Sequence, residues 1–530
     1  MKALAAAFAF AAALCPAHAA LVVSTAPTSN VTCSAGVCSA AAADAVLNVK
    51  DLRHLLAAGD VTVASGSVAQ DIDFAAKLQW TRNSRLTLDA YRGIAVSLDI
   101  TSEGTGGVTL TTDDGGDGGE LVFAGKGKVS FWDTASSLTI DGVSYTLVDS
   151  IQMLAASVAA NPNGFYALSK FYDASADGTY ASDPVPVAFG GTFEGLGHVI
   201  ANLKLKPAGT GDYGFFASIA PPGTVRDVTF DNPVVTASAA EFAAVLAGVN
   251  QGTVSRVNVV AAAVSGRTEG AAGLVGKNDA GSISWCATSG SVAADGQYSL
   301  AGGLAGVNTG AIAHSSSAAV VQGHISGGLV AYNQGSIALS YATGSVSQID
   351  FNKEDSYTGG LAGRNLGMID QSFATGAVNG GNGGEGHGHH VHNPHYYVYA
   401  GGLTTDNYGA VTNSYSTGSV AIGGFGYSGG FAFSSDDAGS IGTSYATGAM
   451  SGLHKKLYGF ANYLPDATNA YWDIDTSGTK KGCSDACTGV TGLTTAQFQS
   501  GLPAGFDPAI WAQSPGVNDG YPYLIANPPQ

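Results

Sequence analysis

Gly303-Leu304-Ala305-Gly306-Val307-Asn308-Thr309-Gly310-Ala311-Ile312 is one copy of a phrase that this chain repeats, and Gly360-Leu361-Ala362-Gly363-Arg364-Asn365-Leu366-Gly367-Met368-Ile369 is another. Its asparagine recurs as Asn250, Asn278, Asn308, Asn333, Asn365 and Asn407, each in the same phrase or a close variant. An apolar anchor travels with it through Phe215, Leu246, Leu274, Leu304, Leu329, Leu361, Leu403, Phe431 and Phe460, mostly in steps of 25 to 32 residues. Self-similarity at that period is the signature of a solenoid. A solenoid offers a long presented surface in place of one deep pocket.

A second phrase follows at fixed distance. Ile337-Ala338-Leu339-Ser340-Tyr341-Ala342-Thr343-Gly344-Ser345-Val346 has relatives at 369–378, 411–420 and 441–450, so each rung contributes two short strands and a turn here. Equivalent positions then pile up, with neighbouring coils about 4.8 Å apart. Glycines flank the anchor where the chain bends too sharply for a Cβ. Asparagine tolerates left-handed turns and bonds its counterpart in the next coil, as stacked amides do. Tyr341, Phe373, Tyr415 and Tyr445 are expected to form an aromatic column in the same way.

Outward from the repeats at 211–463, the chain divides by composition. Residues 464–530 leave the pattern and carry Ala470-Tyr471-Trp472-Asp473, Trp511, Tyr521 and Tyr523, which suits a cap over the open last rung. Upstream, 46–210 alternates short β-prone runs with turns, among them Val96–Ile100, Leu121–Phe123 and Leu138–Ile140, and reads as stacked coils or a sandwich. A break at 149–160 predicts a short helix, with Asp149 or Ser150 as its cap, Ile151, Leu154 and Val158 on one face, and Asn161-Pro162-Asn163-Gly164 as its stop. Residues 20–45 are rich in Ala, Ser and Thr and read as a loosely ordered leader.

Residues 1–19 read as a secretory signal: Lys2, an apolar run from Ala3 to Leu14, and Ala17-His18-Ala19 ahead of cleavage. Leu14 before Cys15 argues against a lipidated cysteine. Elsewhere no stretch is apolar and long enough to span a bilayer. In an oxidising compartment Cys33 with Cys38, and Cys483 with Cys487, would close small disulfide loops. Cys286 fills the slot held by Ser340, Ser372, Ser414 and Ser444 in other repeats, and reads as a small semi-buried residue.

The chain has 530 residues, 75 of them glycine, with 12% charged and a net charge of −18. Glycine at that level argues against a helical body, and the missing Gly-X-Y period excludes collagen. The negative charge disfavours nucleic acid and anionic lipid as partners.

In these residues the chain resembles a known family. The Gly-Leu-(Val/Ala)-Gly-x-Asn phrase followed by Ser-Tyr-Ala-Thr-Gly-x-Val is similar to the GLUG motif of large bacterial surface and secreted proteins. Those include filamentous-haemagglutinin-like adhesins and some immunoglobulin-A-cleaving peptidases. Upstream stretches such as Ser84–Tyr91, Leu110–Gly116 and Phe193–Gly197 also resemble haemagglutinin-like segments, and the similarity covers most of 50–525. The resemblance implies a right-handed parallel β-helix at the surface of a Gram-negative bacterium or outside it. No haemagglutinin-type secretion domain follows the signal, and Asn527-Pro528-Pro529-Gln530 does not resemble an outer-membrane barrel strand. The expected route is therefore a partner exporter, or retention in the periplasm. His-Glu-x-x-His is absent, so the peptidase site of the family is missing.

Three features could carry chemistry. His387, His389, His390, His392 and His395 fall within nine residues and could bind a transition metal; the competing reading is a solvated insertion. Asp113, Asp114, Asp117 and Glu120 on a glycine-rich turn could take Ca²⁺, against a plain acidic turn. Asp350, Glu354, Asp355, Asp436 and Asp437 are the carboxylates available to a polysaccharide-cleaving enzyme, though no recognisable motif pairs them.

The sequence thus predicts an exported, non-enzymatic, adhesin-like β-helix with no required cofactor. It would present loops 348–358 and 380–399 to glycans or proteins of host, matrix or cell surface. The alternatives are a polysaccharide lyase or hydrolase, and a structural matrix protein without a specific ligand.

Overall fold

The structure is a computed structural model that describes residues 19–349, 354–382, 384–385, 395–436, 438–452, 456–465, 467–484 and 487–529. It is a parallel β-solenoid, built almost wholly of short strands hydrogen-bonded in parallel to their equivalents in the next coil. The chain falls into two compact units.

The first unit comprises residues up to Tyr172 together with Gly191–Val199 and Val225–Thr229. One five-stranded parallel sheet runs through Val46–Asn48, Ala20–Ser24, Asp71–Phe74, Ile94–Val96 and Leu121–Phe123. A second face stacks Val37–Ala40, Val61–Ala64, Leu86–Asp89, Val108–Thr111 and Leu138–Ile140. Alternating side chains such as Val61, Val63, Leu86, Leu88, Val108 and Leu110 point into one dry core, which resolves this region as stacked coils and not a sandwich.

Two expectations fail here. Residues 20–45 are not a loose leader. Leu21 and Val23 are fully buried in an interior strand of that sheet, between Asp71–Phe74 and Val46–Asn48, and Val31–Ser34 pairs antiparallel with Val37–Ala40. Cys33 and Cys38 face each other across that hairpin and are joined by a disulfide. A helix at Val49–Ala58 also appears where only strands were read. Asn48 caps it by accepting the Lys50 N–H, and Val49, Leu52 and Leu56 bury its apolar stripe in the core. Ile151–Ala160 is helical as its pattern implies, with Ser150 accepting the Met153 N–H.

The second unit comprises Asp173–Gly190, Ile200–Thr224 and Phe230–Gln530. Each of its rungs runs through three parallel sheets. One sheet stacks strands of the Ala-Gly-x-Asn type from Phe216–Ile219 to Ala461–Tyr463. Another, preceding it within each rung, runs from Phe242–Ala243 to Leu457–Tyr458. The third holds the Ile-Ala-Leu-Ser-Tyr segments.

Inside this unit the repeated residues form continuous files. The Asn250 amide donates to Asn278 Oδ1 at 2.8 Å, and the pattern continues through Asn308, Asn333, Asn365 and Asn407 at 2.7 to 2.8 Å, ending on Ser435 Oγ at 3.1 Å. All six asparagines are wholly buried. They lie within strands, however, and not in left-handed turns. The left-handed position of each rung is Arg256, Trp285, His314, Leu339, Gln371, Asn413 or Thr443, where φ lies between 45° and 57°. A serine file sits directly after it. Ser315, Ser340, Ser372 and Ser414 each donate an N–H to the next serine's Oγ at 3.1 to 3.3 Å. Each of these hydroxyls donates to the carbonyl two residues back. The file therefore absorbs the polar backbone groups that the bend takes out of the ladder. Cys286 extends it, buried and outside any disulfide, with its sulfur 3.3 Å from Ser284 O.

The C-terminal segment does more than cover the last rung. Residues 481–484 do bond to that rung, through Phe460 and Ala461 N–H to Gly482 O, and Cys483 joins Cys487. Beyond them the chain turns along the flank of the coil. Phe498, Phe506, Trp511, Tyr521 and Leu524 pack on Phe373, Tyr415, Tyr445 and Tyr471. Asn527 donates to Gln371 O at 3.0 Å, further down the same flank.

Candidate functional site

The strongest concentration of outward-facing chemistry lies where two sheets of the second unit meet. The strands Ser356–Gly359, Val398–Gly401 and Gly426–Gly429 are in register, which aligns Tyr357, Tyr399 and Tyr427. Their neighbours Ser356, Thr358, Val398, Ala400 and Ser428 are buried, so alternation turns the three tyrosines outward. The ring centroids lie 5.2 Å and then 6.0 Å apart, stacked within 27° of parallel.

Immediately after each tyrosine strand the chain bends into the Asn-bearing strand. A Cβ on Gly359 would lie 1.9 Å from Ala362 O, and one on Gly401 1.8 Å from Thr404 O, so only glycine lets the two strands close on each other. Outward side chains of the two sheets consequently converge. The Arg364 guanidinium lies 4.7 Å from the Tyr357 centroid and Phe433 lies 4.4 Å from Tyr399. Arg364 is paired with Asp406 at 3.1 Å and donates to the Tyr408 hydroxyl at 3.3 Å. At the other end of the stack Lys456 sits 3.9 Å from the Tyr427 centroid and donates to its hydroxyl at 2.6 Å. Each such cation on a half-buried ring contributes on the order of 1 kcal/mol.

Burial governs the electrostatics. It pushes the Tyr357 phenol up to about 12, with Asp406 adding to the rise, and it pushes Tyr399 upward as well. Asp406 is also raised by burial, with Arg364 opposing. Tyr357 and Tyr399 are therefore neutral donors and acceptors across the physiological range.

The described ends of the two insertions meet at this corner. Asp355 accepts the Tyr397 N–H at 2.7 Å and the Tyr399 hydroxyl at 3.3 Å, tying the segment after the first insertion to the segment after the second. His387, His389, His390 and His392 lie outside the described residues, as do Asp350 and Asp437, and His395 belongs to a two-residue strand, His395–Tyr396, that pairs antiparallel with Gly384–Glu385. Glu354 accepts from Gln297 at 3.1 Å. Among the described residues no group of three or more His, Cys, Asp or Glu is placed to hold a metal ion. In the acidic turn, Asp113 accepts the Gly118 N–H at 2.6 Å.

Charged clusters also lie away from this corner. In the first unit Glu194 is wholly buried, takes Arg226 at 2.6 Å and accepts the Leu196 N–H at 3.0 Å. Burial raises its carboxyl and Arg226 opposes, and both oxygens are occupied, which fits a structural pair. In the second unit Lys277 bridges Asp212 at 3.0 Å and Glu241 at 3.2 Å. Nearby Asp183 accepts the Gly214 N–H and is pushed up to about 6 by burial. A depression of about 510 Å³ beside the C-terminal disulfide is lined by Trp472, Lys481, Gly482, Cys483, Ser484, Cys487 and Val490.

Sequence reasoning pointed to the insertions and missed the tyrosine file beside them. The signal was present: Tyr357, Tyr399 and Tyr427 each stand three residues before the Gly-Leu or Gly-Phe of their rung.

No protein-family model matches the chain, and no curated protein matches it. Among solved structures it is similar to a Bacteroides ovatus protein provisionally named an immunoglobulin A1 protease. That match has 17% identity and a TM-score of 0.30, and covers 72% of this chain and 93% of the other. No helix among the described residues is long and apolar enough to cross a membrane. The two disulfides fit an oxidising compartment.

Proposed function

We propose that this is an exported β-helical protein of the adhesin type, which acts by contact and not by turnover. It is expected at the surface of a Gram-negative cell or in its medium, carried out by a partner exporter, with the periplasm as the alternative. The tyrosine corner supports this reading most directly, because it joins outward phenols, two cations and the bases of two insertions on a rigid sheet pair. Aromatic residues with a polar tip suit a surface that binds while remaining wet. The partners are glycans or proteins of host, matrix or neighbouring cells, and the GLUG-like repeats are the scaffold.

Incubating the purified protein with a glycan panel and whole cells, and assaying for cleavage products, tests the reading. Binding without product supports it. The Asp183, Asp212, Glu241 and Lys277 cluster gives the lyase or hydrolase alternative its one structural footing. Turnover abolished by Asp183→Asn would replace contact with catalysis.

A further inference from the structure

The outward files that meet at this corner change composition along the repeats. In the two preceding rungs the positions in register with the tyrosines are Leu300 and Ile325, beside Val307 and Tyr332, and before those the file carries Phe242 and Gly270. In the later rungs the same positions become Tyr357, Tyr399 and Tyr427, beside Arg364 and Asp406. Leu300, Ile325 and Val307 have given way to phenols and planar charged groups, with Tyr332 the first phenol in its file.

That replacement discriminates between classes of partner. A protein partner is held by Trp, Tyr and Arg anchors that each fill a dry pocket, whereas here the rings stack on one another and Arg364 is already paired with Asp406. A polysaccharide offers hydroxyls and weakly apolar ring faces, and it needs a row of donors and acceptors on an aromatic bed. The corner supplies phenols spaced by single rungs, with Asp355 as an acceptor at Tyr399. The rings occupy each other's faces, so their edges and hydroxyls are what a chain lying along the corner would meet.

Charge then narrows the class. Arg364 is compensated by Asp406. Lys456 is exposed and its described contacts are with tyrosines: the Tyr427 ring, the Tyr427 hydroxyl and the Tyr397 ring at 6.0 Å. On a chain of net charge −18 this lysine is a local seat for an anion.

Resting on the contact reading above, we infer that the corner binds an anionic polysaccharide. An acidic group of the chain is held at Lys456, and its sugar hydroxyls bond Tyr427, Tyr399 and Asp355. Carboxylate and sulfate share this chemistry, and the probes separate them.

The test titrates the full-length protein with polygalacturonate, with dextran sulfate and with uncharged dextran, by calorimetry. At least one anionic polymer is expected to bind, dextran much less, and the binding should weaken as salt rises. Lys456→Gln should lower affinity about tenfold, the scale of one charge-assisted hydrogen bond. The double variant Tyr399→Phe with Tyr427→Phe keeps the stacked rings and should lose several-fold. Unchanged thermal melting checks that each variant folds. Anionic binding that survives both variants, or cell binding with no affinity for either anionic polymer, overturns this inference and leaves the contact reading standing. Failure to bind any glycan or cell overturns both.

Discussion

One file of side chains in the second unit runs Asn258, Ala287, Ser316, Tyr341, Phe373, Tyr415, Tyr445 and Tyr471, each in register with the next. Its first three members are small or polar and the rest are aromatic. From Tyr341 to Tyr445 the rings lie 4.7 to 5.1 Å apart and within 7° of parallel. The boundary between the two halves coincides with the reach of the C-terminal segment, whose Asn527 contacts Ser340 O and Gln371 O. The backbone is the same coil on both sides of that boundary. What differs is whether a second layer covers the flank. Stacked rungs alone satisfy the strands, and aromatic volume enters where a covering segment can keep it dry.

The largest effect is expected where the cover meets the file. Trp511 is almost fully buried, 5.9 Å from Tyr445, 6.2 Å from Tyr415 and 4.6 Å from Phe506. Trp511→Ala should cost about 4 kcal/mol, as deletion of a buried large aromatic does. Hydrogen exchange should rise at the rungs of Phe373, Tyr415 and Tyr445 and stay unchanged at those of Asn258 and Ala287. Uniform loosening along the unit would mean that the two halves are not energetically distinct.

The asparagine ladder provides the internal control, because it runs through covered and bare rungs alike. Replacing Asn278 or Asn365 by Ala removes one link and leaves a neighbouring amide and a neighbouring carbonyl without their partners. Unsatisfied buried groups cost about 1–3 kcal/mol each. Each variant should therefore lose about 3 kcal/mol by denaturant melting, and the two losses should agree. A much smaller loss at Asn365 would show that the cover supports the core as well as the flank.

Acid offers a separation of a different kind. In the first unit His198 is buried, its Nε2 lies 2.8 Å from Val129 O, and Nδ1 has no partner among the described residues. Burial lowers its pKa from 6.5 to about 4. Between those values the unfolded chain binds the proton and the folded chain does not. The contribution to stability is thus complete above pH 6.5 and is lost as pH falls toward 4, by about 3 kcal/mol in all. The first unit should melt progressively earlier over that window, and His198→Gln should flatten its dependence. The aromatic file carries no group that titrates there, so fluorescence of Trp511 should stay steady while the first unit weakens.

The legible part of the molecule is the part that repeats by side chain. Asn308 and Asn333, Ser340 and Ser372, Tyr341 and Phe373 recur because each stacks on its own kind, and a reader of the sequence sees the stacking as recurrence. The left-handed bend repeats just as faithfully in the backbone, yet Arg256, Trp285, His314, Leu339 and Gln371 have no chemistry in common. Backbone hydrogen bonds hold that bend in place, and the residue that occupies it is free to vary. The helix at Val49–Ala58 occurs once, so nothing in a periodic pattern marks it, although Asn48 ahead of Leu52 and Leu56 is a local start signal. The tyrosine corner fell between these cases. Its three residues keep a fixed distance from the anchor, but at the same position other rungs carry Leu300 and Ile325, so the recurrence is local.

The smallest expected effect concerns one atom inside the covered half. Tyr415 is wholly buried between Phe373 and Tyr445, and its hydroxyl has no hydrogen-bond partner among the described residues. Its neighbour Tyr445 differs, because its hydroxyl donates to Pro522 O at 2.5 Å and accepts from Asn518 at 2.7 Å. Tyr415→Phe removes a desolvated hydroxyl and keeps the stacked ring, so it should raise stability by about 1 kcal/mol. Tyr445→Phe removes the same atom from a satisfied site and leaves Asn518 only its bond to Pro522 O, so it should lower stability by a similar amount. Opposite signs for two identical substitutions in adjacent rungs would show that the covering segment engages the file at chosen hydroxyls. Equal signs would reduce it to a greasy lid.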